Sequence, residues 1–419
     1  VKKVSVIIVG GGGRGTIYAQ LLREISAKAE VVAVAEPRDF FRNRIAQMHG
    51  VPAENSVSDW RELAARPKFA DAVIIATQDR MHLEPALAFA EKKYHILLEK
   101  PLATDLSGCR ELAAAAEHHN IVFSVCHVLR YTEFTRKLKS LIAAGEIGKI
   151  LSVQHLEPVG HWRFAHSFVR GSWRREEESS SVLLSKSTHD LDWIRYIVDA
   201  APKRVSSFGS LIFFKKENRP ANAAARCLDC AIEAECPYSA PRFYLERIRS
   251  GDTGAYVESV TGTPTEECLI ENLRTGPYGR CVFACDNDVA DHQVVNVEFE
   301  NGATAAFTLA GCSKYGDRRV TIFGSLGEIY GDGERISVFS YLTGETQEIC
   351  VPAPAVADRH GGGDFNLLNE FVDAVRSGDT SGIVSGAEVS LETHALAFAA
   401  ELARKQNRVV EMKDFLSNE

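Results

Sequence analysis

Val4-Ser5-Val6-Ile7-Ile8-Val9-Gly10-Gly11-Gly12-Gly13-Arg14-Gly15 is the stretch on which the fold of this 419-residue chain turns. A run of β-branched residues reads as a strand. Gly10, Gly12 and Gly15 follow it in the G-x-G-x-x-G spacing, and the amphipathic segment Thr16 to Ile25 reads as the helix beyond. Each glycine answers a steric demand: Gly10 a tight turn, Gly12 close approach of backbone to a pyrophosphate, Gly15 close packing of helix on strand. The helix start then offers free N–H groups and a positive dipole end to the phosphates. Gly13 and Arg14, in the same turn, join the expected cofactor contacts. Glu36 stands 21 positions after Gly15 at the end of a second strand pattern, where a carboxylate accepts from ribose hydroxyls and repels a 2′-phosphate. That favours NAD, and Arg38 keeps NADP open as the alternative.

Outward from this motif, short apolar runs alternate with amphipathic stretches: strands at Val4 to Val9, Val31 to Ala35, Ala72 to Ala76, Ile96 to Leu98 and Ile121 to Val125, helices at Glu84 to Lys92 and Leu106 to His118. This is the pattern of a parallel sheet covered by helices. After Gly148 the runs Ile150 to His155, Arg204 to Phe214, Val294 to Phe299, Thr304 to Leu309, Arg319 to Phe323 and Gly327 to Tyr330 read as strands, with Asn301-Gly302 as a hairpin turn. Helical periodicity returns at Phe365 to Val375 and Ala387 to Ala403. The expected fold class is α/β plus α+β: an N-terminal Rossmann doubly wound parallel sheet, then an open mixed β-sheet domain flanked by helices. Residues 1–125 are expected to bind the dinucleotide. Residues 126–360 form the substrate and oligomerisation domain, with a Cys-rich insertion near 215–286, and 361–419 are C-terminal helices returning toward the first domain.

Composition narrows the partners. Charged residues make up 25% and the net charge is −8, with 48 basic and 56 acidic residues dispersed along the chain, so no basic footprint for nucleic acid or anionic membrane is present. The run Val4 to Val9 is too short for a secretory core or a membrane span. Ten cysteines without a secretory pattern point to reduced thiols or metal ligands in a reducing compartment, hence a cytoplasmic protein.

Three further blocks stand in order behind the glycines: Ala76-Thr77 to His82, Glu99-Lys100-Pro101 after a strand, and Lys186-x-x-His189-Asp190-x-Asp192. With them the chain resembles the Gfo/Idh/MocA oxidoreductases from about Val4 to about Ala403. The resemblance implies hydride transfer between a nicotinamide cofactor and a sugar, polyol or related cyclic alcohol or ketone, in a homo-oligomer (dimer or tetramer). It adds Ala76, Thr77, His82, Glu99 and Lys100 to the expected cofactor contacts.

Lys100 lies just past the carboxyl end of a strand, the edge where such sheets bind ligands, and a cation there stabilises a developing alkoxide. His189 opens a helical pattern whose positive end keeps the imidazole neutral and able to take a proton. Lys100, His189 and Lys186 are the expected catalytic residues, with Glu99 orienting Lys100. Asp192, in the first turn of that helix, is favoured there by the dipole alone. Many polyol dehydrogenases of the family carry an aspartate four residues before the histidine. Here Ser185 holds that position and Lys186 follows, a second cation that suits an acidic or densely hydroxylated sugar or acts as a substitute acid or base.

Expected substrate contacts are Arg130, Trp173, Arg174, Lys186, His189, Asp190 and His360; Trp162 and Arg163 add a stacking and hydrogen-bonding mix nearby. Cys227, Cys230 and Cys236, with Cys281 downstream, are spaced for a structural Zn ion, the alternative being unliganded thiols. Two other readings stay open: an NAD-retaining glycoside-processing enzyme that oxidises transiently, and a dinucleotide or sugar sensor without chemistry.

Overall fold

The computed structural model describes residues 2–418 except Tyr315 and Arg359. β1 (Val4–Val9), β2 (Ala29–Ala35), β3 (Ser56–Val57), β4 (Ala72–Ile75), β5 (His95–Leu98) and β6 (Phe123–Val125) form a six-stranded sheet in the order β3-β2-β1-β4-β5-β6. All its neighbours pair in parallel. Alternate residues of β1 enter separate cores: Val6 and Ile8 pack on one face, Ile7 and Val9 on the other. Burial on both faces is why this strand reads as an unbroken apolar run. The chain order reverses between β1 and β4, and the crevice at that point is where such sheets take ligands. Gly10, Ala76, Lys100 and His127 all follow strand ends along this carboxyl edge.

The second sheet is mixed. β7 (Ile150–Pro158), β8 (Pro202–Ser210), β9 (His292–Phe299), β10 (Thr304–Ala310), β11 (Arg319–Gly324), β12 (Gly327–Gly331), β13 (Arg335–Ser340), β14 (Thr346–Cys350) and β15 (Val410–Glu411) take the order β14-β13-β12-β11-β7-β10-β9-β8-β15. β7 and β10 run parallel within an otherwise antiparallel array. The Asn301-Gly302 turn joins β9 to β10, and Gly302 sits at φ +84°. One face of the sheet buries Val295, Val297 and Phe307 in the second core with residues of the helices Thr188–Val198 and Ala387–Gln406. The other leaves Leu151, Phe208, Val294 and Val409 exposed.

The C-terminal segment ties the two sheets together. Ser385 accepts the Val125 N–H through its carbonyl, and the helix Ala387–Gln406 packs between the helix Leu106–His118 and β8. Among the described residues no helix is long and apolar enough to cross a membrane.

Two differences from the sequence pattern have clear causes. The strand expected over Arg204 to Phe214 ends at Ser210, because one carboxylate oxygen of Asp291 accepts the N–H groups of Ile212, Phe213 and Phe214 and draws them out of the ladder. The insertion near 215–286 contains three helices, Ala240–Arg249, Ala255–Glu258 and Glu266–Thr275, with a small core of its own built on Tyr244, Leu269 and Leu273.

Candidate active site

The glycine turn is a cradle that no side chain fits. A Cβ on Gly10, at φ +90°, would lie 2.6 Å from the Ala76 carbonyl oxygen, and one on Gly15 would lie 1.8 Å from that of Gly10. The helix Gly13–Glu24 has no side-chain cap, so its first N–H groups face the turn uncompensated, as a phosphate requires. Glu36 directly follows β2, its carboxylate accepting from Gly11 N (2.8 Å), Arg38 N (3.0 Å) and Arg38 Nε (2.7 Å). Burial pushes the Glu36 carboxyl up, but the bonds and charge of Arg38 outweigh it and hold the group below its usual range, ionised at neutral pH. These residues fit a dinucleotide: an open cradle for the pyrophosphate and a carboxylate acceptor for a ribose. Thr77 follows Ala76 at the turn, its hydroxyl donating to the Met81 carbonyl.

Three other expected cofactor contacts are engaged internally. The Arg14 guanidinium donates to Glu99 (2.5 Å), Asp364 (2.5 Å) and Tyr18 (2.7 Å), clamping the first sheet to the C-terminal helix Gly363–Ser377. His82 is buried with its ring nitrogens against the carbonyls of Pro101 (2.6 Å) and Thr77 (3.2 Å), so it braces the loops rather than facing a ligand. Glu99 holds Lys100 by its backbone N–H (3.1 Å), not by its ammonium.

That ammonium crosses to the second unit, where Nζ donates to the carbonyl of Ser185. Burial lowers the Lys100 pKa, and Asp79 and Glu99 resist the shift. The hydroxyls of Ser179 and Ser180 and the Trp173 indole N–H all donate to Asp79, which was not singled out from the sequence. His189, in the first turn of Thr188–Val198, is 7% exposed. Its pKa falls well below the ordinary value, first from burial and then from Lys100, His360 and Arg318, so the ring is neutral. His360 reaches the site from the segment before the C-terminal helix: its ring lies 6.0 Å from that of His189, and its Nδ1 is 2.8 Å from Asp364.

Lys186 lies in a buried network. Its Nζ is 2.5 Å from Glu157 Oε1, Arg318 bridges Glu157 (2.8 Å) and Asp190 (2.6 Å), and His155 Nε2 meets Asp190 at 2.8 Å. Burial brings the Lys186 pKa down to about 7, with Glu157 opposing and Arg318 and Arg163 assisting. Arg163, half-buried on the short helix His161–Phe164, has no hydrogen-bond or ion-pair partner among the described residues, and its charge is felt by both Lys100 and Lys186. Glu157 and Arg318 left no mark in the sequence, since nothing in β7 or before β11 announces a buried charge.

Several expected substrate contacts are held by partners within the chain. Arg130 is 3% exposed and forms a bidentate pair with Asp192 at 2.7 Å on both arms, with a further bond to the Val384 carbonyl. Asp190 is saturated by His155 and Arg318. Arg174 faces Asp286 and Glu178 at the surface, and Trp173 turns its N–H to Asp79. The Zn expectation finds no support here. Cys227, Cys230, Cys236 and Cys281 line one small cavity, yet among the described residues no group of three or more His, Cys, Asp or Glu side chains is placed to hold a metal ion. The Arg170 guanidinium donates to the Cys227 sulfur at 3.5 Å, and burial raises the Cys236 and Cys281 thiols.

Residues 4–127 match a family model described as an oxidoreductase family, NAD-binding Rossmann fold, and residues 139–412 match its C-terminal alpha/beta domain. Over 417 residues the chain is 24% identical to YteT, an oxidoreductase of Bacillus subtilis (strain 168), with 94% of each chain covered. Over 411 residues it is 21% identical to the myo-inositol 2-dehydrogenase of Thermotoga maritima, with 98% of each covered. A solved structure of levoglucosan dehydrogenase in complex with NADH and levoglucosan shares the fold, with a TM-score of 0.73 at 20% identity over 98% of this chain and 100% of that one.

Proposed function

Because this chain belongs to the Gfo/Idh/MocA oxidoreductases through both of its parts, we propose that it interconverts a secondary alcohol and a ketone on a sugar or polyol. The observation that carries the reading is the meeting of Lys100, from the carboxyl edge of the first sheet, with the Ser185 to His189 segment of the second unit. A bound nicotinamide supplies the acceptor or donor of the hydride at that edge. The chain supplies the proton chemistry. Neutral His189 takes the hydroxyl proton as the geminal hydrogen departs with its electron pair, and the Lys100 ammonium holds the oxygen as charge develops on it. In the reverse direction His189 returns the proton to the carbonyl oxygen.

Glu36 and Arg38 give the adenosine end its preference. With Arg38 paired to Glu36, a ribose finds an acceptor, whereas a 2′-phosphate meets a carboxylate; NAD is therefore the expected cofactor. Arg163, whose charge is not spent on a partner among the described residues, biases the cleft toward a substrate rich in oxygens or carrying a carboxylate. The exposed apolar face of the second sheet is the surface we assign to contact with another copy of the chain.

The test is a panel of polyols, sugars, uronic acids and glycosides with NAD and NADP, following the absorbance of the reduced cofactor together with product. The expected result is NADH formation with a polyol or sugar, lost by about 10²-fold or more in Lys100→Ala and His189→Ala. Full activity in either variant overturns the assignment of that residue. Glycoside cleavage without net NADH moves the reaction to transient oxidation, and silence throughout moves the protein to a sensing role.

A further inference from the structure

His127 follows β6 on the same carboxyl edge as Lys100, yet the reaction as drawn above makes no use of it. It is 0% exposed, and among the described residues neither of its ring nitrogens has a hydrogen-bond partner. Buried imidazole nitrogens are ordinarily bonded, so a ring with both unmet marks a network completed by something further. One side of the ring faces a charge: Nδ1 lies 3.7 Å from Asp192 Oδ2, beyond hydrogen-bond length but close enough for the carboxylate to orient it. Asp192 is itself fixed by Arg130 and by the Thr393 hydroxyl at 3.1 Å.

The other side concerns His189. Its ring stands edge-to-face with His127, centroids 6.2 Å apart, and its Nδ1 is buried without a hydrogen-bond partner among the described residues. Nε2 is then the nitrogen left for the cleft. A neutral imidazole accepts a proton at Nε2 only when its own hydrogen sits on Nδ1, and a buried Nδ1–H needs an acceptor. Ser185 does not provide one, because its hydroxyl donates to the Ser181 carbonyl at 2.9 Å. His394, the third imidazole in the row at 5.7 Å from His127, is already satisfied by the Leu102 N–H and the Ser390 carbonyl.

We propose that His127, backed by Asp192, is the positioning residue for His189: the charge of the Asp192 carboxylate keeps the His127 hydrogen on Nδ1, and Nε2 of His127 accepts Nδ1–H of His189 through one bridging water. The separation of the rings is too wide for a direct bond and suits a single water with polar partners on both sides. The relay fixes the His189 tautomer that leaves Nε2 free as the base. It also shares the positive charge when His189 is protonated, since Asp192 stands behind the row. The charged and titratable groups facing the pair are Asp192, Arg130, Lys100, Glu99, Arg318, His360 and His394. Burial holds His127 down to about 4, so the row is neutral when the cleft is at rest.

This inference rests on the reading of His189 as the proton acceptor, and its test reads the tautomer without needing turnover. The full chain labelled with ¹⁵N-histidine is measured by NMR, with the His189 signals assigned by their loss in His189→Asn. The expected wild-type spectrum shows a neutral ring with hydrogen on Nδ1. In His127→Leu the population moves toward Nε2–H, and in His127→Gln, which keeps an acceptor and a donor, it stays near wild type. In parallel His127→Leu loses about 10-fold to 100-fold in kcat with KM within about threefold, its kcat–pH profile shifts, and His127→Gln recovers most of the rate. An Nε2–H or charged His189 in the wild type overturns the proposal, and that measurement stands even if His127→Leu does not fold. An unchanged tautomer and a superimposable pH profile in His127→Leu overturn it equally. A His127-dependent Nδ1–H tautomer in a protein that oxidises no sugar keeps the relay and removes the dehydrogenase reading instead.

Discussion

Two buried ion clusters flank the cleft, and they do opposite work. Around Arg14, one guanidinium serves two carboxylates, Glu99 through Nε and Asp364 through Nη2, with the Tyr18 hydroxyl also on Nη2. Burial pushes both carboxyls up, Arg14 overrides it, and both end below their usual range, so the cluster does not change charge near neutral pH. Around Lys186, two cations face two carboxylates, and the compact ammonium is the weaker partner because Arg318 takes the bidentate bridge. Burial above all, with Arg318 adding to it, brings the Lys186 pKa down to about 7. Buried charge becomes structural glue when a guanidinium holds it, and a switchable group when an ammonium shares it.

The largest expected effect tests the glue. Arg14→Met leaves two carboxylates buried without their cation and is expected to cost about 3 kcal/mol of unfolding free energy, read from the urea midpoint. The pH dependence has a definite sign. Because the folded carboxyls of Glu99 and Asp364 lie below their unfolded values, their stabilisation is present above the ordinary carboxylate range and is lost as pH falls below about 4. A midpoint unmoved by the substitution removes the clamp from the account.

Next comes the switch. Lys186→Met is expected to lower kcat/KM about tenfold at slightly acid pH and to abolish the fall in kcat/KM as pH rises through about 7. Stability moves the other way. The folded pKa of Lys186 is lowered from 10.5 to about 7, so the unfolded chain binds more protons between those values, and this group adds stability as pH climbs through that window. Lys186→Met removes that slope. A wild-type profile retained in the variant assigns the limb near pH 7 to another group.

The smallest effect sharpens the contrast with the surface. Arg174→Ala breaks pairs with Asp286 and Glu178 that water already screens, and it is expected to change stability by less than about 1 kcal/mol and leave KM within twofold. A tenfold rise in KM would return Arg174 to the substrate site.

How much of this was legible in sequence varied with distance along the chain. The strand Val4–Val9, the helix Leu106–His118 and the Asn301-Gly302 turn follow from residues that are neighbours, and the structure has them where the pattern put them. The hairpin of Arg335–Ser340 and Thr346–Cys350 did not stand out, because β14 at the sheet margin is largely exposed and carries no buried periodicity. In the candidate site, Lys100 and His189 stood out by motif. Arg130 was read as facing substrate because an unpaired arginine and one locked to Asp192 look alike until the helix Thr188–Val198 is docked beside it. His127 was passed over although it follows a strand end as Lys100 does; applying the same edge rule to every strand would have found it.

The sequence by itself determined the Rossmann half, the glycine cradle with Glu36 and the family, because local sterics and periodicity write those features into consecutive residues. Only the tertiary structure decided which charges are spent and which are free. Partners such as Arg14 and Asp364, Lys186 and Glu157, or His127 and Asp192 lie far apart in the chain. Burial, which sets whether a side chain is a base, a clamp or a solvated charge, exists only once the two sheets have closed on each other.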